Sequence, residues 1–565
     1  MAAGPKAIPE GELRAKSYWA APKDSSGADG SGRLGLPGNL SDSLLGVSEG
    51  GGTLAWDLPI QVLALPVAFA IALLSTPLFL RLAIQIGLVD HPDPNRKLHR
   101  GPVPVAGGIV VLLSTLIAVL WGLGASRDLM EQVWQQPKAM WALAVCSLLI
   151  VLLGMQDDFR ALSGPRKLLG QICISGLLVA AGFQMSVVNV LGWDIDLGLL
   201  SVPLSILWIL LTINAINLID GADGLASTVG WIAAAALGSM ALMTGKPADA
   251  LICSSLAGAL LGFLIHNFPP AKIFLGDSGS MLVGLLLGAI GLRSSLKEAT
   301  AFSVLVPVAV LSLPLFDSAM AIIRRKLTGR SIFTGDRGHI HHNLMRVGFS
   351  NRAMILLVTL MGGLVAMAAC LGVVLGNDFI PVVAMAAILS CLIFARWFGY
   401  VELRLLVNKL KHLLERFLPQ GWISPNAPHQ AMVILQGHRN WDRIWKSLVE
   451  LALQRQLLKV CMDVNVPWLH EGFHANWERA SELPADQRWG TRFPIIAQGR
   501  LVGRLEVSGA LDDSSYLMTL GMLGGLLQNL APQIEALVNE GSVAVRTDPP
   551  GEPVHSDVVA SGPLI

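Results

Sequence analysis

Charge is scarce in this chain of 565 residues. Asp, Glu, Lys and Arg together make up 14%, against about a quarter in soluble proteins. With 53% hydrophobic residues and a mean hydropathy of +0.58, that scarcity excludes an ordinary soluble domain and indicates a membrane protein. A net charge of +1 gives no ground for a nucleic-acid partner. Cysteine is also sparse. Cys146, Cys173, Cys253, Cys370 and Cys391 lie in apolar runs, Cys461 stands apart, and no CxxC pair occurs, so neither a disulfide framework nor a zinc ribbon is expected. The first 55 residues lack the basic segment, short apolar core and small-residue cleavage site of a signal peptide. Rich in Gly, Ser, Pro and Asp, they read as a disordered arm outside the membrane.

Long apolar runs are abundant. Stretches near bilayer length occur at 58–80, 105–124, 140–156, 167–185, 198–215, 224–244, 248–266, 279–293, 300–323, 353–375 and 379–397. The expected fold is an all-α polytopic membrane bundle of about eleven transmembrane helices, spanning residues 56–400. Lys and Arg set its orientation, because cytoplasmic loops carry their excess. Arg81, Arg96, Lys97 and Arg100 follow the first run, and Arg160, Arg166 and Lys167 the third. Arg324, Arg325, Lys326, Arg330, Arg337, Arg346 and Arg352 follow the ninth, whereas the alternate loops are poor in both residues. Odd-numbered runs therefore exit into the cytoplasm, which places the N-terminus outside and the C-terminal tail inside.

Beyond residue 400 the pattern changes. Residues 401–427 read as an amphipathic linker helix and 428–542 as a small cytoplasmic α/β domain, possessing a GAF-like pattern. Within it, Ala431–Gln436 is expected as a strand, Trp441–Arg455 as a helix, Arg492–Ser508 as a hairpin turning at Gln498 and Gly499, and Tyr516–Asn539 as a closing helix. Residues 543–565 read as a disordered tail.

Four polar clusters stand out, all on the side that the basic loops mark as cytoplasmic. Asp157 and Asp158 end the third run; adjacent carboxylates repel unless a cation or a proton lies between them, so the pair suits Mg²⁺ or a general base, or else a charged membrane boundary. Asn214, Asn217, Asp220 and Asp223 recur every three residues, a spacing that lines them along one side of a helix end, with Gly221 and Gly224 admitting close approach of a ligand. In Gly276-Asp277-Ser278-Gly279-Ser280, Asp277 at a helix start suits either a metal ligand or an N-cap. The basic loop ends in Arg337, Gly338, His339, Ile340, His341 and His342; these cations suit a diphosphate, and zinc is the alternative for three closely spaced histidines. Lys97 and His99 are weaker signals, since a topogenic role accounts for Lys97. Asp317, inside the ninth run, is costly unless functional or paired with the basic residues that follow. A transporter would instead carry its ionisable groups near mid-membrane, and a non-catalytic scaffold would be expected to have lost one of the acids.

In order, RKLHRGPVPVAGGI, DDFRALSGPRK, NAINLIDGADGLA, FLGDSGS and PLFDSAMAIIRRKLTGRSIFTGDRGHIHHNL resemble the polytopic polyprenyl-phosphate N-acetylhexosamine-1-phosphate transferases over residues 58–400. The RGHIHH form resembles the undecaprenyl-phosphate GlcNAc-1-phosphate branch rather than the related phospho-MurNAc-pentapeptide branch. The resemblance implies transfer of a sugar-1-phosphate from a UDP-sugar to a polyprenyl phosphate, with Mg²⁺ or Mn²⁺ as cofactor, in the inner membrane, and a homodimer. It further implies catalytic roles for Asp157, Asp158 and Asp277, with metal contacts from Asp277 and Asp158. Substrate binding would fall to Lys97, Asn214, Asn217, Asp220, Asp223, Arg337, His339, His341 and His342.

Overall fold

In the computed structural model the described residues are 58–90, 102–190, 193–294, 304–328, 338–417, 429–436, 440–466, 471–479, 484, 487–497 and 499–511, with 521, 523–525 and 528–538. The expected N-terminal arm, the tail 543–565, Lys97, His99, Arg337 and Gln498 lie outside them. The described residues from Pro59 onward form one compact unit.

Each expected apolar run coincides with helix. In chain order these are α1 (Ile60–Ile86), α2 (Gly107–Ala125), α3 (Arg127–Gln135), α4 (Pro137–Phe159), α5 (Gly164–Ala180), α6 (Ser201–Ile219), α7 (Leu225–Met243), α8 (Pro247–Asn267) and α9 (Gly276–Ser294). After them come α10 (Leu305–Val310), α11 (Ser312–Leu327), α12 (Ile340–Val347), α13 (Asn351–Leu375), α14 (Phe379–Phe394) and α15 (Tyr400–Phe417). Seven helical segments among the described residues are long and apolar enough to cross a membrane, and Phe379–Phe394 is a shorter apolar helix. Of the eleven expected spans seven are thus met among the described residues, and the runs at 167–185, 279–293, 300–323 and 379–397 fall on helices outside that set. The ninth run is interrupted at Leu311, between α10 and α11, both of which carry a proline.

Small residues bring the helices together, as expected where lipid removes the hydrophobic drive between them. Ala64, Ala68 and Ala72 of α1 are buried, and α1 runs along α8, where Gly258 and Gly262, one turn apart, press on the Leu65 and Phe69 carbonyls. Helix α9 lies inside the bundle against α2, α4, α6 and α7. Its first residues, Gly-Asp-Ser-Gly-Ser, are thereby held among the ends of other helices.

Two short antiparallel pairs, β1 (Val89–Asp90) with β2 (Val103–Pro104) and β3 (Val187–Val190) with β4 (Trp193–Asp196), lie between the helices, and past α15 the chain forms a five-stranded antiparallel sheet of β5 (His429–Gln436), β6 (Lys459–Val466), β7 (Glu471–Glu478), β8 (Arg488–Ala497) and β9 (Arg500–Ala510), in the order β5-β7-β6-β9-β8. Helix α16 (Trp441–Gln454) packs on it through buried Trp441, Ile444, Trp445 and Leu448. The first strand, the helix and the hairpin fall where the sequence placed them. Strands β6 and β7 were not foreseen.

Candidate active site

The third cluster is built by the first. Asp158, in the last turn of α4, accepts the backbone N–H of Asp277 at 2.8 Å and of Ser278 at 3.2 Å, one on each carboxylate oxygen. Those N–H groups belong to the first turn of α9, where no intrahelical acceptor exists and a negative charge is stabilised. Gly154, one turn earlier, lets the Ser278 backbone come against α4, and Gly276 takes the positive φ of +75° that starts the helix. On the other side, Phe274 N–H donates to Pro104 at 2.9 Å, while Gly107 and Gly108 N–H donate to Phe274 and Leu275, each at 3.1 Å. The PVPVAGG segment after Lys97 thus clamps the Asp277 turn.

Lys167 of α5 joins the clusters. Its Nζ is 2.9 Å from Asp157 Oδ2, 2.9 Å from Asp277 Oδ2 and 3.1 Å from Asn217 Oδ1. Asn217 Nδ2 donates to Asp277 Oδ1 at 2.6 Å and to Ser280 Oγ at 2.9 Å. Asp157 takes the Leu162 N–H on its other oxygen at 2.6 Å. Sequence reasoning counted Lys167 only among the basic residues that orient the bundle. The signal that marks it is its presence in the same short segment as the aspartate pair.

Of Asn214, Asn217, Asp220 and Asp223, the first two reach α5, at Gln171 and at Lys167 one turn earlier. Asn214 donates to Gln171 Oε1 and to the Leu210 carbonyl, each at 2.8 Å, and serves as a bond between α6 and α5. Such interhelical bonds contribute on average roughly 0.6 kcal/mol in a membrane. Helix α6 ends at Ile219, and Asp220 caps it. Burial pushes the Asp220 carboxyl well above the usual carboxylate range, and the nearby Asp277, Asp158 and Asp223 push it further, against the opposing pull of Lys167. Asp223 accepts the Ala271 N–H at 3.0 Å and fixes the loop before α9.

The histidine loop closes on this turn. Asp317 of α11, fully buried, accepts His339 Nδ1 at 2.8 Å on one oxygen and the Ile340 N–H at 2.8 Å on the other. The pairing expected with the basic residues after it is made with His339. His341 lies against Gly221, where a side chain's Cβ would come within 2.6 Å of its Cε1. Its two ring nitrogens are buried and without a hydrogen-bond partner among the described residues. Burial, then the neighbouring His342 and His339, hold its pKa well below the usual value. The rings of His341 and His342 are 4.1 Å apart at their centroids.

No three His, Cys, Asp or Glu side chains among the described residues converge in a ready-made metal cluster. The chemistry of the donor set nevertheless fits a hard cation. Asp157, Asp277 and the Asn217 amide supply oxygens around one point, which the Lys167 ammonium holds, and Mg²⁺ commonly takes only one or two carboxylates alongside substrate phosphates.

Fold and site together define a multi-pass membrane protein with a carboxylate, amide and lysine centre assembled at helix ends. Residues 140–295 match glycosyl transferase family 4. A probable undecaprenyl-phosphate N-acetylglucosaminyl 1-phosphate transferase of Bacillus subtilis (strain 168) is 37% identical over 315 residues, covering 55% of this chain and 85% of that protein. A decaprenyl-phosphate N-acetylglucosaminephosphotransferase of Mycolicibacterium smegmatis is 37% identical over 311 residues, 51% of this chain and 76% of that one. The undecaprenyl-phosphate alpha-N-acetylglucosaminyl 1-phosphate transferase of Escherichia coli (strain K12) is 30% identical over 304 residues, 52% and 80%. The chain belongs to this family of polyprenyl-phosphate N-acetylglucosaminyl-1-phosphate transferases.

Proposed function

We propose that the protein transfers N-acetylglucosamine 1-phosphate from UDP-GlcNAc to undecaprenyl or another polyprenyl phosphate, releasing UMP. The product is a lipid-diphosphate-sugar that begins a cell-envelope glycan. The observation that carries the reading is the contact of Lys167 with Asp157, Asp277 and Asn217 at once, beside a turn on which the histidine loop rests.

The chemical difficulty is that a phosphate monoester must approach a diphosphate of like charge. Lys167 offsets part of the charge of Asp157 and Asp277 and keeps both oriented toward the same point. Asp277 and Asp157, with Asn217, are the groups that would hold Mg²⁺, or Mn²⁺ in its place; Asp158 spends its carboxylate on the start of α9 and acts by placing Asp277. The bound ion would supply charge neutralisation of the donor diphosphate and of the departing UMP. Asp157 orients the lipid phosphate for in-line attack. Because the second pKa of such a monoester is about 6, little deprotonation is needed at neutral pH, and position counts for more than basicity. His341 lies against Gly221, in the turn after α6, and His339, fixed by Asp317, stacks beside it at 6.0 Å between ring centroids; both would face the donor. The excess of Lys and Arg after the first, third and ninth runs supports a cytoplasmic site and a cytoplasmic C-terminal domain.

The test is UMP release from UDP-GlcNAc by purified protein in detergent with undecaprenyl phosphate, with and without Mg²⁺. Release that depends on the lipid and the metal, and is lost in Asp277→Asn, is the expected result. A folded sample silent with every UDP-HexNAc donor would remove the proposal.

A further inference from the structure

The helix that leaves the membrane region reaches back to the histidine loop. Glu402 stands in the first turn of α15, past the residues that carry the family resemblance, and its Oε1 accepts Nη1 of Arg324 from α11; both side chains are buried. The same guanidinium lies against Gly338, where any side chain would collide with its Cζ and terminal nitrogens. Gly338 immediately precedes His339, and its carbonyl accepts Asn343 Nδ2 at 2.8 Å, which ties it to α12. A buried guanidinium is costly unless its charge is met, so Glu402, by holding Nη1, contributes to where Arg324 rests and hence to what supports Gly338.

A second connection arrives from the C-terminal sheet. Arg504 of β9 donates through Nη2 to the Thr328 carbonyl at 3.1 Å, and the Thr328 hydroxyl bonds back to the Arg324 carbonyl at 2.8 Å. Arg504 pairs across the sheet with Asp463, which pairs in turn with His474. The linker helix and the sheet therefore converge on Arg324, one from its side chain and the other from its backbone.

We infer that Glu402 is a positioning residue for donor binding, and that through Arg324 the C-terminal domain sets the affinity of the histidine loop for the nucleotide-sugar. The kinetic part rests on the transfer reading above. In the full-length protein, Glu402→Ala raises the KM for UDP-GlcNAc about tenfold, the scale of one lost charge-assisted hydrogen bond. The KM for undecaprenyl phosphate stays close to wild type, and Glu402→Asp restores most of the donor affinity. A donor KM that does not move, or both KM values rising together, would overturn the inference, since general loosening of the fold has no reason to single out the donor. Hydrogen exchange without substrate gives a reading independent of turnover. Amides of 338–347 exchange faster in Glu402→Gln, a near-isosteric variant chosen to keep the fold, than in wild type; equal exchange counts against the inference. Were the wild-type protein to release no UMP, the transfer reading would fail and the exchange result alone would decide this one.

Discussion

Asp158 and Asp277 lie 119 residues apart, yet the Asp158 carboxylate accepts the Asp277 backbone N–H at 2.8 Å. Together with the bond from Ser278, this makes Asp158 the N-terminal cap of α9, supplied by a different helix. Its neighbour Asp157 faces Lys167. Adjacent aspartates that look equivalent in sequence therefore make different contacts, one with the start of α9 and the other with Lys167.

The division can be measured. Loss of a helix cap costs about 1 kcal/mol, and loss of hydrogen bonds to a buried charged group roughly 1.5 to 3 kcal/mol. Asp158→Ala accordingly lowers the apparent thermal midpoint by several degrees at a fixed scan rate and also lowers activity, because Asp277 moves. Asp157→Asn leaves the midpoint near that of wild type while UMP release collapses. Equal midpoint losses in the two variants would show that the pair is not divided in this way.

Lys167→Ala leaves Asp157 and Asp277 facing each other without the ammonium between them. Turnover is expected to fall on the order of a hundredfold, the usual cost of removing one preorganised electrostatic group. Lys167→Arg recovers little, since a planar guanidinium does not fit a point held by three oxygens. Mg²⁺ provides a second reading. With the competing ammonium gone, millimolar Mg²⁺ raises the thermal midpoint of Lys167→Ala more than that of wild type, because a ligand of the native state stabilises it by mass action. A smaller Mg²⁺ effect in the variant would place the ion elsewhere.

Helix positions were legible in the sequence because an apolar run of bilayer length seldom folds as anything but a membrane helix, and the four polar clusters did mark segments that meet in space. Three features were not legible. Recurrence every three residues describes a helix face only while the helix lasts, and α6 stops at Ile219; the separate partners of the four residues, Gln171 for Asn214, Asp277 and Lys167 for Asn217 and the Ala271 N–H for Asp223, are set by tertiary packing that no spacing announces. Lys167 was hidden because a basic residue at a membrane boundary already has a reason to be there. In the C-terminal domain the place of β7 was not legible: Phe473, Ala475 and Trp477 alternate with His474, Asn476 and Glu478 as a strand's residues do, but insertion between β5 and β6 is set by non-local pairing that no local pattern carries.

The histidines were expected to meet the donor as cations, and for His341 the structure favours the neutral form. Burial is the main cause, with His342 and His339 adding to it, and the result is a pKa well below the ordinary histidine value of about 6.5. A neutral imidazole offers one hydrogen-bond donor and one acceptor rather than a charge, and in His341 both nitrogens lack a partner among the described residues. The sign of the pH effect follows from the depressed folded-state value. Above about pH 6.5 His341 is neutral in folded and unfolded chains alike, and its contribution to stability is intact. As the pH falls below that value the unfolded chain takes up a proton that the folded one refuses, so stability drops until the folded-state pKa is reached, by about 1.4 kcal/mol for each unit between the two values. The apparent thermal midpoint of the wild-type protein should therefore fall more steeply between pH 7 and pH 5.5 than that of His341→Asn, which has nothing to titrate there. Parallel curves would mean that His341 accepts a proton in the folded protein, and its part in the site would return to that of a cation facing the diphosphate.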